Sequence, residues 1–287
     1  MTFYSPLRYP GGKGRLSKYM GLIIKKNNLI DGTYVEPYAG GAAIALSLLI
    51  NKYVSQIIIN DISKPIYSFW YSILNYTDDF CEMIYNTPVT VDEWFKQKEI
   101  QENPDKFNEF QLGFSTFFLN RTNRSGILKG GIIGGKNQDG EYKIDARYNK
   151  ENLISRIKNI AKYKERIFLY NLDAEELLDE VIPDLGIKTL IYFDPPYYNK
   201  GKHLYENYYD HEDHLRLSKK IGQIDHKWIV TYDNVQEIKK FYEGYRQKSF
   251  SLSYSAAKRY KGSEIMIYSN NLIVPEARDL LKINNTF

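Results

Sequence analysis

Residues 190–198 read L-I-Y-F-D-P-P-Y-Y. Leu190 to Asp194 have the make-up of a buried strand: apolar, aromatic and β-branched, closing on a carboxylate. Pro195 and Pro196 have no N–H to donate, so a ladder stops there. They also stiffen the chain just past a strand end, which is where open α/β sheets bind ligands. Asp194, the Pro195 carbonyl and the Tyr197 ring therefore stand at fixed positions. A carboxylate and a carbonyl can accept both hydrogens of an exocyclic amino group on a planar base, and a ring can stack on its face. The same residues also read as a strand entering a proline-rich loop with packing tyrosines, so the rest of the chain has to decide.

Working outward, the N-terminal third alternates. Residues 16–27 have helical apolar spacing, and residues 34–36 form a short strand running into P-Y-A-G-G-A-A. Residues 42–50 are strongly helical, and residues 56–60 (Q-I-I-I-N) form a second strand ending at Asp61. Strand, glycine turn and helix are what nucleotide-binding α/β folds use to bring a cofactor against backbone and helix N-terminus. An acidic residue about 20 positions later can accept from ribose hydroxyls. An ordinary βαβ unit would look similar. Ahead of it, Pro10-Gly11-Gly12 demands a loop of unusual backbone angles, able to bring N–H groups and Lys13 against an anion.

Residues 64–150 break the alternation. Residues 66–74, 79–85, 92–101 and 107–120 read as helices, followed by a basic, glycine-rich loop or hairpin over 121–140. From Arg121 to Lys150 there are seven Lys/Arg against three Asp/Glu, a balance suited to phosphates or simply to a solvated surface. Alternation then resumes: helix 152–166, strand 167–171, and a helix opened by Asp173 as N-cap or ligand acceptor. After the Leu190 strand come a tyrosine-bearing loop over 199–210, long enough to be a lid, a helix over 211–221, a strand over 227–232 and a helix over 235–242. Two strands close the pattern, at 246–254 and 264–269. From Lys239 to Lys261 there are seven Lys/Arg and one Glu, interleaved with tyrosines, which fits contact with DNA or RNA as well as a soluble hairpin tip.

Composition narrows the class. The 287 residues are 43% hydrophobic and 26% charged, enough for one large α/β domain with an insertion. A net charge of +4 is compatible with a nucleic-acid partner without arguing for one. Cys81 is the sole cysteine, so a disulfide framework and a cysteine zinc site are excluded within the chain. His211 and His214 have helical spacing, but no other His or Cys neighbours them, and no metal site is expected. No apolar run reaches membrane-spanning length, and the polar N-terminus is unlike a signal peptide, so a soluble intracellular protein is expected.

Taken together, Y-P-G-G-K (9–13), V-E-P-Y-A-G-G-A (35–42), N-D (60–61), F-L-N-R-T-N-R-S-G (118–126) and D-P-P-Y (194–197) resemble, in this order, the DNA adenine methyltransferases of the Dam-like class, α-type arrangement. The resemblance runs over nearly the whole chain, residues 3–268. It implies a Rossmann-like class I methyltransferase sheet with a C-terminal β-hairpin. It assigns 1–62 and 151–287 to the catalytic domain and 63–150 to an inserted, mainly helical target-recognition domain. It implies S-adenosylmethionine as cofactor, lined by Tyr9, Lys13, Glu36, Tyr38, Gly40, Asp61, Asp173 and Asp194. The family's F-x-G-x-G falls on Tyr38, Gly40 and Ala42, where tyrosine and alanine are departures. Asp194, Pro195 and Tyr197 would be catalytic. Arg121, Asn123, Arg124, Lys129, Lys258, Arg259 and Lys261 would meet double-stranded DNA. A restriction endonuclease acting on the same site and a cytoplasmic location in a bacterial, phage or mobile-element setting accompany this reading. Rival readings are an amino methyltransferase of cytosine N4 or of RNA, a catalytically silent DNA-binding relative, and a nicotinamide oxidoreductase. The cytosine enzymes more often carry Ser or Asn before P-P-Y, and the last would need G-x-G-x-x-G, which is missing here.

Overall fold

The computed structural model describes residues 4–8, 13–199, 209–254 and 260–276. Its strands are β1 (Gly32–Glu36), β2 (Val54–Asn60), β3 (Ile167–Tyr170), β4 (Thr189–Phe193), β5 (Lys227–Asp233), β6 (Arg246–Tyr254) and β7 (Tyr260–Tyr268). They form one sheet in the order β3-β2-β1-β4-β5-β7-β6. β1 to β5 are parallel, and β7 runs antiparallel between β5 and β6. This is the doubly wound sheet with a terminal hairpin that the sequence implies.

The strands in the middle are apolar throughout because both faces are covered. Successive side chains of β4 alternate between two cores: Leu190 and Tyr192 enter one, Ile191 and Phe193 the other. The first core packs under helices α1 (Ser17–Lys26) and α2 (Ala43–Ile50). The second packs under α8 (Ala174–Glu180), α9 (His211–Gly222) and α10 (Gln236–Phe241). Strand order reverses between β1 and β4, so the C-terminal ends of these neighbours flank the crevice where such sheets hold ligands.

Between β2 and β3 the chain forms α3 (Lys64–Asn75), α4 (Thr77–Asn86), α5 (Val91–Glu102), α6 (Glu109–Thr122) and α7 (Lys150–Ala161). These helices do not build a separate core. Phe69, Trp70, Phe80, Phe114, Phe117 and Phe118 join the same buried cluster as Tyr34 and Leu190 of the sheet. Phe69 and Phe117 stack at 6.1 Å across α3 and α6. The helices approach closely at Gly113, where an added Cβ would lie 2.4 Å from the Ser68 carbonyl oxygen. The basic loop after α6 is a tight turn, closed by an antiparallel bridge between Asn123 and Ile132. Among the described residues no helix is long and apolar enough to cross a membrane.

Gly113 sets two effects against each other. Alanine is the better helix former by about 1 kcal/mol, but its methyl group would push on backbone, and overpacking costs about 1–3 kcal/mol. Gly113→Ala is expected to lower the urea unfolding midpoint. A midpoint at or above the wild-type value would show that the helices have room to part.

Candidate active site

Four segments meet at the crevice. Asp194 leaves the end of β4, Thr231 lies near the end of β5, Glu264 pairs on β7 with Asp233 of β5, and Lys13 enters just ahead of α1. The Lys13 ammonium donates to Asp194 Oδ1 and, at 3.2 Å, to Thr231 Oγ1. The Thr231 hydroxyl donates to the same Asp194 oxygen at 2.9 Å, and Tyr192 OH lies 2.8 Å from Thr231 Oγ1. Glu264 Oε1 accepts from Tyr197 OH, while Glu264 Oε2 lies 3.7 Å from Lys13 Nζ. Lys13 and Glu264 are buried, whereas the Asp194 side chain is 26% exposed. Burial pushes the Glu264 carboxyl up, and the Lys13 charge opposes that rise.

The sequence expects Tyr197 to offer its ring for stacking. Here the ring is buried, its hydroxyl is held by Glu264, and Lys13 Nζ sits 5.0 Å from its centroid. A stacked base would require Lys13 to leave that face. Asp194 is half engaged: both of its described side-chain bonds fall on Oδ1, which leaves Oδ2 as an acceptor. Beyond the prolines, Asp233 fixes the chain by accepting from the Tyr198 and Asn199 N–H groups at 2.9 and 3.0 Å.

The second wall is the turn from β1 to α2. Gly40 and Ala42 both take positive φ, 47° and 45°. Glycine does so at little cost, whereas Ala42 carries a Cβ into the left-handed region. Asp61, at the end of β2, holds this turn: Oδ2 accepts from Gly40 N at 2.9 Å and Oδ1 from Ser63 N at 3.0 Å. Burial raises its carboxyl to about 6 against those two bonds. Each oxygen keeps a second lone pair, so these bonds do not exhaust it as an acceptor. Trp70 Nε1 of α3 donates to the Gly40 carbonyl at 2.9 Å, and Asn60 ties the neighbouring turns through Pro37 and Leu172. Tyr38 OH lies 3.0 Å from Tyr209 OH. Glu36 is buried at the end of β1 and accepts from Ala45 N, at the start of α2, at 3.1 Å. Burial, with a contribution from the Asp194 charge, raises its carboxyl to about 8. Asp173 is a helix cap: it accepts from Glu175 N at 2.8 Å, and Glu176 closes the capping box.

The residues assigned to DNA divide. Arg124 and Lys129 are exposed on the loop after α6. Asn123 is not: it is fully buried, accepts from Trp94 Nε1 at 2.6 Å and donates to the Ile127 and Leu128 carbonyls. Its amide is spent on shaping the loop, which corrects the expectation of a DNA contact. Arg121 is half-buried, donating to the Arg147 and Pro6 carbonyls. Burial, then the nearby Arg8, Arg156 and Arg147, lower its guanidinium to about 9. Lys261 lies on β7 opposite Ser253. Tyr9, Lys258, Arg259 and the 200–208 part of the expected lid fall outside the described residues. Thr231 and Glu264 line the crevice and were missed in the sequence reading, which quoted Asn60 in its N-D motif without giving it a role; a lone glutamate opening the apolar run I-M-I-Y was the available signal for Glu264.

Residues 9–259 match the family model of the D12 class N6 adenine-specific DNA methyltransferases. The chain belongs to this family. It is an adenine-specific DNA methyltransferase, and S-adenosylmethionine is its methyl donor. A type II methyltransferase from Methanocaldococcus jannaschii is 26% identical over 266 residues, covering 84% of this chain and 89% of that protein. Among solved structures, a provisionally assigned RNA methyltransferase from Pyrococcus horikoshii is 10% identical, covering 93% of this chain and 88% of that one, at a TM-score of 0.45. A provisionally assigned class I S-adenosylmethionine-dependent methyltransferase from Listeria monocytogenes is 8% identical, covering 90% and 62%, at 0.36. Overlaps this low carry no argument; the strand order carries the fold.

The methyltransferase's crevice fits such a donor by its charge. Two carboxyl groups, Asp194 and Glu264, stand around one ammonium, that of Lys13, and Glu36 lies within electrostatic reach of Asp194. The partly exposed Asp194 carboxylate suits a ligand carrying a sulfonium and an ammonium group. Asp194, Glu36 and the Gly40 turn would hold it.

Glu36 generates a pH test. Folded, it keeps its proton up to about 8; unfolded, it loses it near 4.5. Unfolding therefore releases a proton between these values, and this group's contribution makes stability fall as pH rises from about 5 to about 8. Glu36→Gln removes that contribution. Urea midpoints across this range should decline less steeply in the variant than in the wild type, and parallel slopes would show that Glu36 ionises normally.

Proposed function

We propose that the methyltransferase acts at a specific site in double-stranded DNA, on an adenine turned out of the helix, with Asp194 and the Pro195 carbonyl accepting its two amino hydrogens. The observation that supports this most is the position of Asp194. It stands on a proline-stiffened corner at the strand-order reversal, partly exposed and within electrostatic reach of Glu36 at the end of β1. Bound S-adenosylmethionine supplies an electrophilic methyl group. The protein's part is to make the amine a better nucleophile. The amine's lone pair is delocalised into the ring; two acceptors on its hydrogens favour a pyramidal nitrogen and return density to it. Holding that nitrogen in line with the methyl group contributes the larger share. A paired base is out of reach inside the duplex, so it must be everted.

Residues 63–150 are the target-recognition region in this reading, with Arg124 and Lys129 exposed for phosphates and Arg121 behind them. Lys258, Arg259 and Lys261 would add a second basic contact, and affinity would fall steeply with salt. The type II description of the Methanocaldococcus relative supports a cognate endonuclease sharing the same site. The DNA substrate supports a cytoplasmic location.

Asp194→Ala is expected to lower methyl transfer by at least about 10²–10³-fold while DNA affinity changes by less than about threefold. Transfer of a labelled methyl group and a gel-shift assay measure the two. Near-normal turnover would remove Asp194 from the chemistry. Mass spectrometry of nucleosides should find N6-methyladenine; N4-methylcytosine, or product in RNA alone, would overturn the base or the substrate.

A further inference from the structure

Three neighbouring side chains at the end of the sheet hold the D-P-P-Y corner. Thr231 and Asp233 stand two residues apart on β5, so they share a face, and Glu264 of β7 lies directly opposite Asp233. Thr231 donates to Asp194 Oδ1 at 2.9 Å, and Glu264 accepts from Tyr197 OH. Asp233 differs from both, because it grips main chain. Its Oδ1 accepts from Tyr198 N at 2.9 Å and its Oδ2 from Asn199 N at 3.0 Å.

A carboxylate at this position calls for a reason. Asp233 is buried, and a buried charge is costly unless both of its oxygens are satisfied. Among the described residues no lysine or arginine pairs with it. Its stabilisation comes instead from two consecutive N–H groups just past the prolines, one for each oxygen. Hydrogen bonds to an ionised acceptor are roughly twice as strong as neutral ones. Asparagine has the same shape but could accept only one of the two, and its NH₂ would face the other N–H.

We propose that Asp233 is a positioning residue for methyl transfer, holding the far side of the corner so that the Pro195 carbonyl and the Tyr197 ring stay in register with Asp194. The inference rests on the reading of Asp194 and the Pro195 carbonyl as the amine's acceptors. Thr231 fixes the near side of the corner at Asp194, and Asp233 fixes the far side at Tyr198 and Asn199. Between them the two proline rings lock φ. Without the far hold the corner can swing about the end of β4. A displacement of about 1 Å costs up to about 100-fold in a reaction that needs in-line placement. Asp233 acts through the corner and not on the donor or the duplex, so the affinities for both are untouched.

Tyr198 has a second anchor that provides the control: its OH lies 2.7 Å from Nδ1 of His211, an exposed residue. Single-turnover methyl transfer at saturating S-adenosylmethionine and DNA is measured for the wild type, Asp233→Ala, Asp233→Asn and His211→Ala, below the unfolding midpoint of each. Calorimetry and gel shift give the two affinities. Asp233→Ala should slow transfer about 10- to 100-fold, with Asp233→Asn in between, while both affinities stay within about threefold. His211→Ala should cost less than about threefold, because the main-chain hold remains. Asp233→Ala acting at wild-type rate overturns the proposal. So does a slowing matched by an equal loss of S-adenosylmethionine affinity, which would mean that Asp233 shapes the donor site. So does His211→Ala as slow as Asp233→Ala, which would mean that any slack at Tyr198 suffices. If Asp233→Ala does not fold, Asp233→Asn keeps the shape and the same comparisons decide. Asp194→Ala runs in the same assay: an active variant would remove the underlying reading, while an inactive one beside unaffected Asp233 variants overturns the positioning role alone.

Discussion

A single buried ammonium between two carboxylates organises the crevice. Lys13 reaches Asp194 across 181 residues of sequence and Thr231 across 218, and it lies within ion-pair distance of Glu264 on the terminal hairpin. Burying charge is expensive, and the expense is met only where partners are close and their remaining valences are satisfied. That requirement draws the segment before α1, the corner after β4, the end of β5 and the start of β7 to one place. The one ammonium stands between the Asp194 and Glu264 carboxyl groups, and of these Asp194 is the partly exposed one.

The sheet gives this cluster its address. The order reverses between β1 and β4, the position at which sheets of this kind bind ligands beyond their strand ends. Past β4 lies the Asp194 corner, stiff because two prolines follow it. Past β1 lies the Gly40 turn, stiff because Asp61 and Trp70 hold its N–H and its carbonyl. Rigid walls suit a reaction whose rate depends on in-line placement.

Much of this was written locally in the sequence. Parallel strands covered on both faces are apolar throughout, so the β4 strand and the strand ending at Asn60 stood out, as did the proline corner and the glycine turn. The break in strand–helix alternation marked the inserted helices. What was not legible depends on distant partners. Thr231 is one polar residue in an apolar strand, and its bond to Asp194 spans 37 residues. Nothing near Asn123 says that Trp94, 29 residues away, takes up its oxygen. Tyr197 reads as a ring at the corner, and only the three-dimensional neighbours place Glu264 behind it and Lys13 above it. Periodicity reports which face a side chain takes; it does not report whom it meets.

The bond from Trp70 to the Gly40 carbonyl reaches further than its length suggests. Trp70 belongs to the helices inserted between β2 and β3, and those helices share one core with the sheet. They are therefore not a detachable reading head on a flexible stalk. A rigid rotation of α3 would drag the glycine turn with it, so the inserted helices and the β1–α2 turn are mechanically geared to each other.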